Sequence, residues 1–145
     1  MNMKTKGFTL IEILIVIAVI SILIGIALPR FRGMQEEGNI AKAKGELRTL
    51  QTAAESYYVH NSNTYPVNLT ALTGQIPSIV SSIPNDPFQS TNCNYAYKVN
   101  GGYYAIYSIG PKGNGSVSTV TNTGVTELNG DSCIYVSNVK LDVQP

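Results

Sequence analysis

Residues 8–28 (FTLIEILIVIAVISILIGIAL) carry a single charge, Glu12, and are otherwise apolar apart from Thr9 and Ser21. As a helix this run is about 31 Å long, close to the roughly 30 Å hydrocarbon thickness of a bilayer. The run therefore predicts a membrane-spanning helix. It is preceded by a short polar stretch, MNMKTKG, with Lys4 and Lys6.

Two readings of this N-terminus compete. In a secretory signal peptide, Lys4 and Lys6 form the basic region and Gly25-Ile26-Ala27 loosely fits a small-residue cleavage site. The apolar run is longer than usual for that role and contains a carboxylate. Beyond the supposed cut the helical pattern simply continues. In the second reading the helix is a retained anchor with its basic tip in the cytoplasm. The charge bias is small, because Arg30 and Arg32 follow the run and Glu36 and Glu37 partly offset them.

Glu12 is costly in either case. A carboxylate within a membrane helix costs about 2.5–3.5 kcal/mol on insertion scales, so it requires a partner or a function. It lies one turn into the helix, near the positive end of the helix dipole. One role is local stabilisation of its own helix terminus. The sharper role is pairing with the terminal amine of an adjacent copy, which would set register between subunits.

Lys6-Gly7-Phe8-Thr9-Leu10-Ile11-Glu12, the apolar stretch and Pro29 together closely resemble the N-terminus of type IV prepilins and type II secretion pseudopilins. The resemblance is specific over roughly residues 4–30. It implies a leader of residues 1–7, cut between Gly7 and Phe8 by a membrane prepilin peptidase, with N-methylation of Phe8. It also places Glu12 at the acidic position used in assembly and Pro29 at a helix kink. The implied partners are other pilin or pseudopilin subunits in a homo-oligomeric filament, the peptidase, an inner-membrane assembly platform and the membrane itself. The implied location is the inner membrane, single-pass with a cytoplasmic N-terminus, then an extracellular pilus or a periplasmic pseudopilus.

The remaining chain predicts an α+β pilin fold, a long helix packed on a small antiparallel sheet. Pro29 removes one helical donor. Residues 29–60 then continue the helix. Ile40, Ala43, Leu47, Leu50, Ala54 and Tyr57 alternate steps of three and four, which draws one apolar stripe along a face. Lys42, Lys44, Glu46, Arg48 and Glu55 fall largely on other faces. The helix is expected to end near His60, whose lone imidazole reads as a surface residue. Residues 61–145 form the globular, β-rich extracytoplasmic region. A short helix and loop are expected over 67–82, a turn at Pro84-Asn85-Asp86-Pro87, and strands over 94–99, 103–109, 125–128, 133–136 and 139–143. Asn100-Gly101-Gly102 suits a hairpin loop. Residues 110–124 (GPKGNGSVSTVTNTG) read as a long polar loop with little core potential. The tyrosine cluster, including Tyr57, Tyr58, Tyr95, Tyr97, Tyr103, Tyr104 and Tyr107, reads as sheet and interface packing.

Cys93 and Cys133 are the two cysteines. Their wide spacing lacks a metal-site pattern, and outside the cytoplasm a disulfide is the expectation, against two separate buried thiols. A second resemblance covers Ile83-Pro84-Asn85-Asp86-Pro87-Phe88, Tyr95-Ala96-Tyr97 and Tyr107-Ser108-Ile109-Gly110-Pro111-Lys112-Gly113. These segments are similar to the major pseudopilin of type II secretion, a group that often binds calcium beside the Gly-Pro loop. Here Lys112 stands where that group has Asp, and residues 113–126 contain no acid, so no calcium is expected. The cysteine pair is more like that of pilus-forming pilins.

No enzyme motif is present: there is no Gly-x-Ser-x-Gly, His-Glu-x-x-His or phosphate-binding loop. No cofactor, metal or nucleic-acid contact is expected, since a net charge of +1 supplies no basic field. The function implied is a structural pilus subunit, with a type II secretion pseudopilin as the alternative. A secreted binding module is the outside reading.

Overall fold

The computed structural model describes residues 7–74, 80–90, 93–128 and 133–139. The leader therefore lies outside the described residues except for Gly7, and so do the expected strand positions 140–143. The chain divides into two compact units, Met1–Glu37 and Gly38–Pro145. One helix, α1 (Leu10–His60), contributes to both and is unbroken at Pro29.

In the first unit the helix is apolar all round, and no described residue of it is buried. Ile11, Ile15, Ile17, Leu23 and Phe31, which fall on different faces, are each more than half exposed. Ser21 Oγ donates to the Ile17 carbonyl at 2.7 Å, so the polar atom inside the run is satisfied by its own helix.

In the second unit the expected stripe is the buried one. Ala43, Leu47, Leu50 and Ala54 have no exposure, and Ile40 and Tyr57 pack against the same cluster. Their partners include Tyr95, Tyr104, Ile106 and Ile134 from a three-stranded antiparallel sheet and its approach. That sheet comprises β1 (Ala96–Asn100), β2 (Tyr103–Ser108) and β5 (Ile134–Ser137), in the order β1-β2-β5. Asn100 pairs with Tyr103 across the turn at Gly101-Gly102, and Gly101 takes the left-handed φ of +58° that this tight reversal requires. A single 3-10 turn, Leu69–Leu72, stands where a short helix was expected. Asn68 caps it, its side chain accepting from the Ala71 N–H at 3.1 Å and the Thr70 hydroxyl at 2.7 Å.

One expectation fails. Residues 116–121, read as polar loop, form β3 (Ser116–Thr121), which pairs with β4 (Gly124–Leu128) in a second, two-stranded sheet. Val117 and Val120 are buried there with Ala105 and Val139. The central strand β2 is thus covered twice: Tyr104 and Ile106 belong to the helix-side cluster, and Ala105 to the cluster with β3. Alternation along a strand explains this directly. The pattern was hidden in β3 because a register shift between Val117 and Thr119 breaks the two-residue period.

Candidate assembly helix and its supporting core

Thr9 immediately precedes α1, and Glu12 is the third residue of the helix. The Glu12 N–H donates to Thr9 Oγ1 at 3.3 Å. Glu12 Oε2 accepts from the Thr9 N–H and from the Thr9 hydroxyl, both at 3.4 Å. This is a capping box, in which residue and terminus satisfy each other's orphan groups. The Thr-x-x-Glu pattern of Thr9 and Glu12 was a legible signal for it. Within a single subunit, Glu12 therefore serves its own helix terminus. Gly7 and Phe8 lie exposed just ahead of that cap.

The second unit holds carboxylates that the helical pattern put on polar faces. Glu46 and Glu55 instead sit at the rim of the core and accept from tyrosines of the β-rich region. Tyr95 donates to Glu46 Oε2 at 2.6 Å, Tyr104 to Glu55 Oε1 at 2.8 Å, and Tyr65 to Glu55 Oε2 at 3.0 Å. Tyr65 stacks on Tyr58 with centroids 4.4 Å apart and meets Tyr104 at a 52° tilt with centroids 4.6 Å apart. Burial, then the Glu55 hydrogen bond, pushes the Tyr65 phenol up to about 12. Burial first and Glu55 or Glu46 second raise Tyr104 and Tyr95 further, and burial raises Tyr97. Tyr97 Oη is buried with no hydrogen-bond partner among the described residues. The tyrosines thus fasten helix to sheet by both ring packing and hydroxyl contacts.

Asp86, read as a turn residue, is only 2% exposed. Its Oδ1 accepts from the Phe88 N–H at 3.0 Å and the Ser108 hydroxyl at 2.8 Å, and its Oδ2 from the Ile109 N–H at 2.9 Å. The Asp86 N–H donates to the Cys93 carbonyl at 2.9 Å. On the far side of this knot, the Gly115 N–H donates to the Ile109 carbonyl at 2.8 Å. A Cβ on Gly115 would meet that oxygen at 2.7 Å and the Cys133 Cα at 2.8 Å, so only glycine fits. Asp86 therefore ties the Cys93 segment to the end of β2, while Gly115, bonded to the same Ile109, lies against the Cys133 backbone. Cys93 is exposed and Cys133 half-buried. Among the described residues, no three His, Cys, Asp or Glu side chains group to hold a metal.

Residues 2–28 match the family described as the prokaryotic N-terminal methylation motif. The chain is 44% identical over 57 residues to the type IV major pilin protein PilA of Myxococcus xanthus, covering 39% of this chain and 26% of that one. It is 28% identical over 141 residues to the type II secretion system core protein G of Escherichia coli, covering 86% of this chain and 94% of that one. The motif and these relatives make the chain similar to type IV pilins and type II secretion pseudopilins. Short matches of higher identity recur, as in a fimbrial protein of Pseudomonas aeruginosa, 47% identical over 51 residues, 35% of this chain and 33% of that one. The chain spans about a quarter of the Myxococcus pilin but nearly all of the Escherichia core protein. No solved structure matches it. The long helix packed on small antiparallel sheets is the pilin-like α+β architecture expected from the sequence.

Proposed function

We propose that this chain is a structural subunit of a type IV filament, inserted in the inner membrane and polymerised through residues 8–28. The observation that carries this reading is the helix itself: it is long enough to cross a membrane, and its apolar window is wholly unburied in the subunit. Such a surface needs lipid before assembly and other subunits after it. In this reading a prepilin peptidase cuts after Gly7, Phe8 becomes the N-methylated first residue, and an inner-membrane platform gathers the subunits. Glu12 exchanges its capping contacts for the Phe8 amine of a neighbour. Apolar packing alone tolerates sliding, whereas a mispaired charge in a low-dielectric bundle is costly and favours one register. Pro29, which lacks a donor, gives the helix a place to bend or melt. A pseudopilus of a type II secretion system is the second reading, supported by the near full-length similarity to core protein G.

The deciding experiment compares Glu12→Ala and Glu12→Gln with wild type for membrane-bound subunit, processed mass and sheared filaments. Insertion and cleavage persist in both variants while filament yield falls sharply. Mass spectrometry finds methylated Phe8 at the N-terminus. Normal filament yield from Glu12→Ala would mean that Glu12 only caps its own helix. A mature N-terminus at Leu28 would return the chain to the secreted class.

The same reading includes a disulfide between Cys93 and Cys133. The Cys93 carbonyl accepts from Asp86, and Gly115, bonded to Ile109 at the same knot, packs against the Cys133 backbone, which supports it. The loop that the bridge closes corresponds to roughly 4 kcal/mol in the chain-entropy estimate, less any strain. Thiol labelling of exported protein without reductant finds neither cysteine reactive, and two reactive thiols would remove the bridge.

A further inference from the structure

Beyond Glu12, the described first unit carries four more charges, in the order Arg30, Arg32, Glu36, Glu37. All four are exposed. Lys42 and Glu46 close an ion pair at 3.9 Å with i,i+4 spacing. Arg32 and Glu36 have the same spacing, yet among the described residues neither they nor Arg30 and Glu37 form an ion pair. Apolar Phe31 and Met34, 59% and 66% exposed, alternate with the charges. The segment thus presents unpaired charge inside an uncovered apolar surface.

Its order of charge repeats the one at the helix start. There, once the leader is removed, the Phe8 amine precedes the Glu12 carboxylate by four residues. Here Arg32 precedes Glu36 by four, and Arg30 precedes Glu37 by seven. Along a helix these offsets are about 6 and 10 Å. A parallel copy displaced axially by about 6 Å brings its amine level with Glu12 and its Arg32 level with Glu36, and leaves its Arg30 about 4.5 Å short of Glu37 along the axis, a gap the long guanidinium side chain can span. A copy with no displacement sets arginine beside arginine and glutamate beside glutamate.

We propose that Arg30 and Arg32 of one subunit pair with Glu36 and Glu37 of an adjacent copy, a second charge clamp that sets the same stagger as Glu12. The partner surface is a second copy of this chain, chosen by charge complementarity, and the inference rests on the filament reading above. Exposed ion pairs are individually weak. These lie among Phe31 and Met34, whose packing against a neighbour removes water and strengthens the pairing. The clamp also repeats at every subunit, so a small gain per interface accumulates along the filament.

The test uses the full-length chain in its producing cell. Three forms are compared with wild type: R30E/R32E, E36R/E37R, and the four-fold exchange that carries both. Filament yield is normalised to processed, membrane-bound subunit, and Glu12→Ala is run beside them. Each one-sided reversal lowers yield about tenfold or more, and the exchange returns it to within about threefold of wild type, a recovery of several interface contacts' worth of affinity. Near-normal yield from either reversal, or an exchange no better than the reversals, overturns the clamp. If a reversed form fails to accumulate in the membrane, R30Q/R32Q and E36Q/E37Q replace it; both lower yield several-fold, and wild-type yield from either overturns the clamp. Loss of filaments in Glu12→Ala beside normal reversals removes the clamp alone. A processed wild-type subunit that makes no filaments removes the filament reading and the clamp with it.

Discussion

Between residues 10 and 37, α1 shows apolar side chains on all faces and buries none of them; between 38 and 60 it shows one apolar stripe, buried from Ala43 to Ala54 and half-buried at Ile40 and Tyr57. The helical backbone is the same. The difference lies in where the solvent-hiding partner comes from. The stripe is answered within the chain by Tyr95, Tyr104, Ile106 and Ile134. The all-round surface has no answer within its own unit, and Glu12, the one acid of residues 8–28, closes among the described residues only on Thr9 three residues away. The first part is therefore built for contacts outside the subunit, and the second to fold by itself.

A pair of substitutions sharpens this contrast most. Leu50→Ala removes a fully buried side chain from the helix–sheet core. It destabilises the second unit by about 2–5 kcal/mol. Ile17→Ala removes a side chain that touches no core, and it changes the same unfolding transition by under about 0.5 kcal/mol. Denaturant titration of the full chain in detergent reads both. Comparable losses from the two would break the comparison, because Ile17 would then be part of the folding unit.

Some of this was readable in advance and some was not, for physical reasons. The stripe from Ile40 to Tyr57 was legible because a helix samples its core every three or four residues, and the core is a neighbour along its whole length. The hairpin at Gly101-Gly102 was legible because its turn chemistry is local. β3 was not, since its bulge spaces Val117 and Val120 by three and its other positions are hydroxyl or small. Asp86 looked like a turn residue because the groups it binds, Ser108 and Ile109, lie 22 and 23 residues further on. Glu46 and Glu55 looked like solvated helix charges because nothing in the helix announces the tyrosines they meet, each 10 to 49 residues away. In the assembly helix the capping box was written in the residue types of Thr9 and Glu12. The intersubunit role of Glu12 rests on the family resemblance.

Those carboxylate–tyrosine contacts give the second unit an alkaline limit that the first lacks. Tyr65 titrates near 10 in an unfolded chain and near 12 in the folded one. Its contribution is complete below pH 10 and is lost as pH rises through about 12, because the unfolded state gives up the proton first. The raised Tyr95, Tyr97 and Tyr104 act in the same direction. Stability of the second unit therefore falls steeply above pH 10, seen as loss of near-ultraviolet dichroism, while α1 helicity in residues 10–37 persists. Glu55→Gln leaves one of Tyr65 and Tyr104 without its acceptor, costs about 1–3 kcal/mol at neutral pH, and makes the alkaline decline shallower. An unchanged alkaline slope in Glu55→Gln would mean that burial alone governs these phenols.

The smallest effect belongs to the start of the helix and separates the two roles of Glu12. Thr9→Ala deletes the hydroxyl that accepts from the Glu12 N–H at 3.3 Å, and leaves that donor only the Thr9 carbonyl at 3.2 Å. N-cap losses of this kind cost about 1 kcal/mol. The cost is local, because the apolar run beyond it keeps its own backbone bonds. Amide exchange at Glu12 in detergent should quicken by roughly fivefold, the factor that 1 kcal/mol represents, with little change beyond Leu14. Glu12 itself remains, with its carboxylate freed from the Thr9 hydroxyl that it now holds at 3.4 Å. If the carboxylate's task is to meet a neighbour's amine, loosening its cap to the one backbone N–H of residue 9 leaves filament yield near wild type. Glu12→Ala, which removes the charge as well, should still abolish most filaments. Equal losses of filaments from Thr9→Ala and Glu12→Ala would show the opposite: the cap itself would be what assembly requires, and the two parts of α1 would differ in packing but not in where their polar groups find partners.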